Sequence, residues 1–125
     1  MAKSVSNNVL DAALNYVKNN STRISVCSAQ PTSYTEAVTT YKLSIKTISS
    51  ADFTGPANGD TSGRKVTSNQ HTGVTVDSSG TANHVALADS VGSALNYVTT
   101  CTSQALTAGN TVTIPAWKME IAAPA

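Results

Sequence analysis

The sequence predicts an α+β fold: mainly an antiparallel β-sandwich or half-barrel with one N-terminal helix. Three observations carry this. From Thr75 to Ile121, apolar and polar residues alternate in short runs separated by turn residues, as in half-buried strands. Near the start, Leu10, Ala13, Leu14 and Val17 recur at helical spacing instead. Along the chain there is one helix, one further helical turn and about seven strands, a count that sets a helix to one side of antiparallel sheets.

Residues 1–125 make a single strand-rich domain, and residues 1–6, which show no periodicity, are expected to form a short arm. Asn7 or Asn8 can cap the helix, Asp11 is expected in its first turn, where the helix dipole favours an anion, and Asn19-Asn20-Ser21 stops it after Lys18. The pentapeptide Ala-Leu-Asn-Tyr-Val occurs at Ala13–Val17 and again at Ala94–Val98. Its flanks assign the first copy to the helix and the second, which follows Gly92-Ser93 and precedes Thr99-Thr100-Cys101-Thr102, to a strand.

Arg23 to Ser28 alternates and forms the first strand, which Pro31 ends. Ser33-Tyr34-Thr35-Glu36 has capping-box spacing and predicts a helical turn to about Thr39. Tyr41, Leu43 and Ile45 alternate with Lys42, Ser44 and Lys46, a second strand with a basic solvent face. Asp52 to Arg64 is dense in turn formers and is expected to be the longest loop, followed by a strand from Lys65 to Asn69.

The stretch Thr75–Ile121 is expected to be a β-meander. Asp77-Ser78-Ser79-Gly80 and Asp89-Ser90-Val91-Gly92 each place Asp at the start of a turn and Gly three residues on, and Ala108-Gly109-Asn110 supplies a third reversal. Val112 and Ile114 are out of step with Trp117, Met119 and Ile121, and Pro115 lies at the break. A bulge or an edge position there is the economical expectation.

Charged residues are only 12% of the chain and the net charge is +1, which argues against nucleic acid or an anionic membrane as partner. Abundant Ser and Thr give a neutral polar surface that is cheap to desolvate, although Thr is also a good strand residue. No apolar run reaches the roughly 20 residues of a membrane span, and the opening residues lack the apolar core of a secretory signal, so synthesis in a cytoplasm is expected. Cys27 and Cys101 fall in predicted strands and read as buried free thiols, with a disulfide as the alternative.

Catalytic chemistry finds little footing. Gly59-Asp60-Thr61-Ser62-Gly63 has the look of a loop around a nucleophilic serine, but His71 and His84, the only candidate bases, sit in segments without a supporting pattern. No close-spaced Cys or His pair suits zinc, Asp52 and Asp60 lack a calcium-loop pattern, and no glycine-rich phosphate loop opens a helix. No cofactor is expected.

Four stretches carry a resemblance: Val-Ser-Asn-Asn-Val-Leu-Asp-Ala-Ala-Leu-Asn-Tyr-Val (Val5–Val17), Val-Cys-Ser-Ala-Gln-Pro-Thr-Ser-Tyr (Val26–Tyr34), Asp-Phe-Thr-Gly-Pro-Ala-Asn-Gly-Asp-Thr-Ser-Gly-Arg-Lys (Asp52–Lys65) and Thr-Ala-Gly-Asn-Thr-Val-Thr-Ile-Pro-Ala-Trp (Thr107–Trp117). Together they resemble small virion-associated proteins of tailed bacteriophages, of the capsid cement or decoration type. The resemblance implies a non-enzymatic protein on the capsid surface, made in the host cytoplasm. Its implied partners are the major capsid protein and neighbouring copies of itself, trimers at local three-fold positions being one arrangement. A phage neck or tail component, or a host-surface binding module, is the alternative.

The resemblance assigns no chemical role to any residue. Contacts are expected in the arm (Met1, Ala2 and Lys3), in the long loop (Phe53, Pro56, Asn58 and Arg64) and in the tail (Trp117 and Lys118). Trp117 reads either as a core residue of the last strand or as an interface anchor.

Overall fold

Every strand pairing in the chain is antiparallel. The computed structural model describes residues 3–124, so the expected contacts at Met1 and Ala2 lie outside the described residues. Helix α1 (Asn7–Asn20) is followed by β1 (Arg23–Cys27), β2 (Lys42–Thr47), β3 (Phe53–Asn58), β4 (Arg64–Ser68), β5 (His71–Thr75), β6 (Gly80–Asp89), β7 (Ala94–Leu106), β8 (Thr111–Ile114) and β9 (Trp117–Ile121). One sheet runs β2-β1-β6-β7, a second β3-β4-β9, and a third pairs β5 with β8. A bridge from Ser44 to Val76 joins the end of the β5 segment to the edge of β2, which gives the half-barrel its curl. The α+β class with one N-terminal helix is borne out.

The core forms where the sheets face each other. Cross-strand partners share a face, and Ile24 opposite Leu87 and Val26 opposite Val85 supply the first sheet's inner surface. Val66 opposite Met119 supplies the second sheet's, and Leu14 of α1 joins the same cluster. Each such side chain withdrawn from water contributes about 1.5–3 kcal/mol. The first sheet's other face carries a smaller cluster, Cys27, Ala37 and Ala86, where the π-helical turn Glu36–Thr40 packs. Ala37 and Ala86 let the backbones approach closely.

Several local expectations hold. The two copies of Ala-Leu-Asn-Tyr-Val are helix and strand respectively. Asp89 Oδ1 accepts from the amides of Val91 and Gly92 at 2.9 and 3.2 Å, closing the β6–β7 hairpin. Ser33 Oγ accepts from the Glu36 amide at 3.2 Å, while the Glu36 carboxylate reaches Thr32 rather than Ser33.

Others are corrected. Ser6, not Asn7 or Asn8, caps α1: its hydroxyl accepts from the Val9 amide at 3.4 Å. Asp11 therefore falls past the first turn. Ser44 does not face solvent; it is fully buried and its hydroxyl donates to the Thr75 carbonyl at 2.8 Å. The expected long loop is largely strand β3, and only Asp52, which ends a 3-10 turn, and residues 59–63 remain outside strands there. Phe53 anchors β3 in the core at 6% exposure, and the register shift between Thr54 and Ala57 carries the strand past Pro56.

The meander is overturned. Within Thr75–Ile121 only β6 and β7 pair as sequence neighbours, since β8 pairs with β5 and β9 with β4. Backbone carbonyls outside the turns explain this. The amides of Asp77 and Ser78 donate to the Leu43 carbonyl at 2.7 and 3.2 Å, and Lys42 bridges Asp77 at 3.1 Å, so this turn is tied to β2. The reversal at Gly109 is tied to Val76 by two backbone hydrogen bonds of 2.9 and 2.8 Å. Pro115 marks no bulge: it lies where the chain leaves the third sheet for the second, and β9 is an edge strand as expected.

Gly63 has φ +68°, and a Cβ there would lie 1.8 Å from the Ile121 carbonyl oxygen. Gly109 has φ +90° with nothing within 4 Å of the added carbon. Gly63→Ala is therefore expected to cost more than about 3 kcal/mol and Gly109→Ala about 1–2 kcal/mol, read from urea unfolding midpoints. Equal losses would contradict the backbone clash at Gly63.

Candidate functional site

Four of the expected contact residues converge on two charged clusters. The first gathers Pro56, Asn58 and Arg64. Arg64 Nε donates to Asp11 Oδ1 at 2.8 Å and Nη2 to Oδ2 at 3.3 Å, a bidentate fork. Nη1 donates to Asn58 Oδ1 at 2.7 Å, and the Pro56 carbonyl lies 3.5 Å from Nη2. Lys18 Nζ donates to the Gly55 carbonyl at 2.8 Å one turn and more along the helix. These residues fasten α1 across β3 and β4, so their polar atoms are committed to the fold.

The second cluster holds Lys118. Its ammonium and that of Lys65 both engage the carboxylate of Asp60, the latter at 2.6 Å. The Thr61 amide donates to Glu120 Oε1 at 3.1 Å and the Ala123 amide to Ser62 Oγ at 3.2 Å. The 59–63 loop, whose Gly59 amide closes on the Gly63 carbonyl at 2.9 Å, is thus pinned to β9 and the segment after it. Phe53 stands apart from both clusters as a core residue, while Lys3 is exposed.

Trp117 opens a third region. It packs against the main core and stacks on Tyr97 of β7, ring centroids 5.7 Å apart at 34°, across the seam between the first and second sheets. This is the core placement among its two expected roles, and its buried indole Nε1 has no hydrogen-bond partner. Beyond this aromatic pair β7 and β8 diverge, leaving a cleft of about 190 Å³ lined by Val85, Cys101, Leu106, Val112 and Ile114. Cys101 is thus half-buried, not buried. Cys27 lies in the small cluster on the opposite face of the sheet, and both thiols are free. Burial pushes the pKa of each thiol up, which favours the protonated form.

The candidate bases are not brought together. His84 is on β6, with Nδ1 2.6 Å from Asn83 Oδ1. His71 is on β5, buried opposite Ile114, and its Nε2 has no partner; neither has the buried hydroxyl of Ser68. Burial lowers the His71 pKa, Asp52 opposing and Lys46 adding to the shift. Among the described residues no three His, Cys, Asp or Glu side chains are gathered to hold a metal ion, and no helix is long and apolar enough to cross a membrane.

Sequence reasoning missed the Asp11–Arg64 pair, since the two residues sit in different expected elements, and no local signal marks them as partners. It also missed the cleft, which exists because β7 and β8, adjacent in sequence, do not pair. No known protein family, curated protein or solved structure matches the chain.

Asp11 and Arg64 are each roughly four-fifths buried, with side-chain exposures of 22% and 18%. Arg64→Leu is expected to destabilise the fold by about 1–3 kcal/mol, and a double-mutant cycle with Asp11→Asn to return a coupling of about 1–2 kcal/mol. A coupling near zero would mean the pair does not fasten the helix.

The His71 site sets a pH dependence. As pH falls through about 6.5 the unfolded chain takes up a proton that the folded chain resists, so stability is full above that pH and declines below it. Urea midpoints should fall between about pH 7.5 and pH 5.5, and His71→Gln should flatten that slope. An unchanged slope in the variant would place the dependence elsewhere.

Proposed function

We propose that this chain is a non-enzymatic structural protein of a tailed-bacteriophage virion, a capsid cement or decoration protein that binds the major capsid protein and neighbouring copies of itself. The observation that carries this reading is the way the chain disposes of its few charges. Lys42, Arg64, Lys65 and Lys118, four of the eight Lys and Arg residues, are neutralised in ion pairs, and Ser and Thr predominate among the exposed residues. Such a surface lets many copies stand close together without mutual repulsion and costs little to desolvate against another protein. A rigid β-body bound at many identical sites stabilises a shell by mass action even where each contact is weak.

The resemblance supports the same reading in a specific way. Two of its stretches, Val5–Val17 and Asp52–Lys65, meet at the Asp11–Arg64 fork. A third, Thr107–Trp117, holds the Gly109 reversal and the change of sheet at Pro115.

Purified particles, assayed by gel densitometry against the major capsid protein, are expected to contain this chain in hundreds of copies, with icosahedrally repeated density in a cryo-electron reconstruction. A handful of copies per particle would point to a neck or tail component instead. Absence of the chain from particles would overturn the virion reading.

A further inference from the structure

Helix α1 has a second apolar stripe, on the side away from the body. Val9 and Tyr16 are 59% and 58% exposed, and Ala12 and Ala13 are exposed between them. Residues at i, i+3, i+4 and i+7 share one helix face, so two small side chains are bracketed by two large ones along a continuous strip. The buried stripe through Leu10 and Leu14 is on another face.

Solvent-facing sides of helices ordinarily carry charge. Here the arrangement is reversed. The two charged residues of α1, Asp11 and Lys18, are both turned to the body, to Arg64 at 2.8 Å and to the Gly55 carbonyl at 2.8 Å. The row beside the apolar strip, through Ala12, is made of Asn8, Asn15 and Asn19.

We propose that, independently of any role in a virion, this face joins two copies of the chain, their α1 helices packed antiparallel about a two-fold axis that passes between Ala12 and Ala13. In that arrangement Val9 of each copy lies against Tyr16 of the other, and the alanines let the helices approach at the axis. The strip reads large, small, small, large in both directions, so it fits its own reverse.

Three further features select a second copy over a foreign protein. Two-fold symmetry places position 9 of one copy opposite position 16 of the other, and since neither these nor the two alanines carry charge, no like charges are brought together. Asn amides donate and accept, and can therefore pair with themselves, as carboxylates and ammonium groups cannot. A foreign partner would be held more selectively by outward charge, and both charges of the helix are used up inside.

A helix of 14 residues is about 21 Å long, so the contact is smaller than a standard protein interface and association is concentration-dependent. Sedimentation velocity of the full chain from about 10 µM to about 1 mM is expected to show a monomer–dimer equilibrium, weakened at least tenfold by Ala13→Glu. Ala13 is exposed, so the thermal unfolding of that variant, followed by circular dichroism, should match the parent. Under oxidised glutathione, Ala12→Cys should yield a disulfide-linked dimer, and Ser103→Cys on exposed β7 should not, with Cys27 and Cys101 as common background. A chain that stays monomeric at about 1 mM, undiminished association of Ala13→Glu, or equal cross-linking of the two cysteine variants would each overturn the proposal.

Discussion

The fold depends on one fastening: the guanidinium of Arg64 reaching from the start of β4 to the carboxylate of Asp11 in α1. A lone amphipathic helix of this length has little stability in water and must be held by packing. Leu10 and Leu14 supply that packing, but apolar contact alone does not fix how a helix is turned. The bidentate fork does, because it has direction, and Lys18 on the Gly55 carbonyl adds a second point that prevents rotation about the first. With two points set, Leu14 is aimed at the core shared by Ile24, Val66 and Leu87.

The same economy appears in the turns. An Asp–Gly turn is usually described as closing on itself, and the one at Asp89 does so. The turn at Asp77 and the reversal at Gly109 instead give their backbone groups to other parts of the chain, Leu43 and Val76. The first joins the chain after β5 to β2, and the second extends the β5–β8 ladder by one more pair. This is why strands adjacent in sequence part company, and why the half-barrel stands open beside β7, where Cys101 and Leu106 look across at Val112 and Ile114.

Much of the local structure was legible in the sequence, because periodicity and turn chemistry are local. The helix, the strand or helix identity of the repeated pentapeptide, the Asp89 turn and the edge position of β9 could all be read from neighbours in the chain. Pairing could not, since alternation tells which side of a strand is buried and nothing about which strand lies beside it. The carbonyls of Leu43 and Val76 decided the partners, and every residue has a carbonyl. Phe53 looks like a loop residue in the sequence because Gly55, Pro56 and Asn58 give the composition of a loop to what a register shift makes a strand. Of the expected contact residues, Pro56, Asn58, Arg64 and Lys118 turned out to be members of two polar clusters, an arrangement visible only once α1, β4 and β9 are side by side.

Besides β3, β4 pairs with β9, and β5 pairs with β8. Until those strands arrive, Val66 has no Met119 opposite it and Val74 no Val112. Those two apolar faces therefore stay uncovered until residues 111–121 are laid beside residues 64–75. Pairing across so much intervening chain is slow to form. β9 and β8 thus close the second and third sheets over side chains supplied much earlier in the chain.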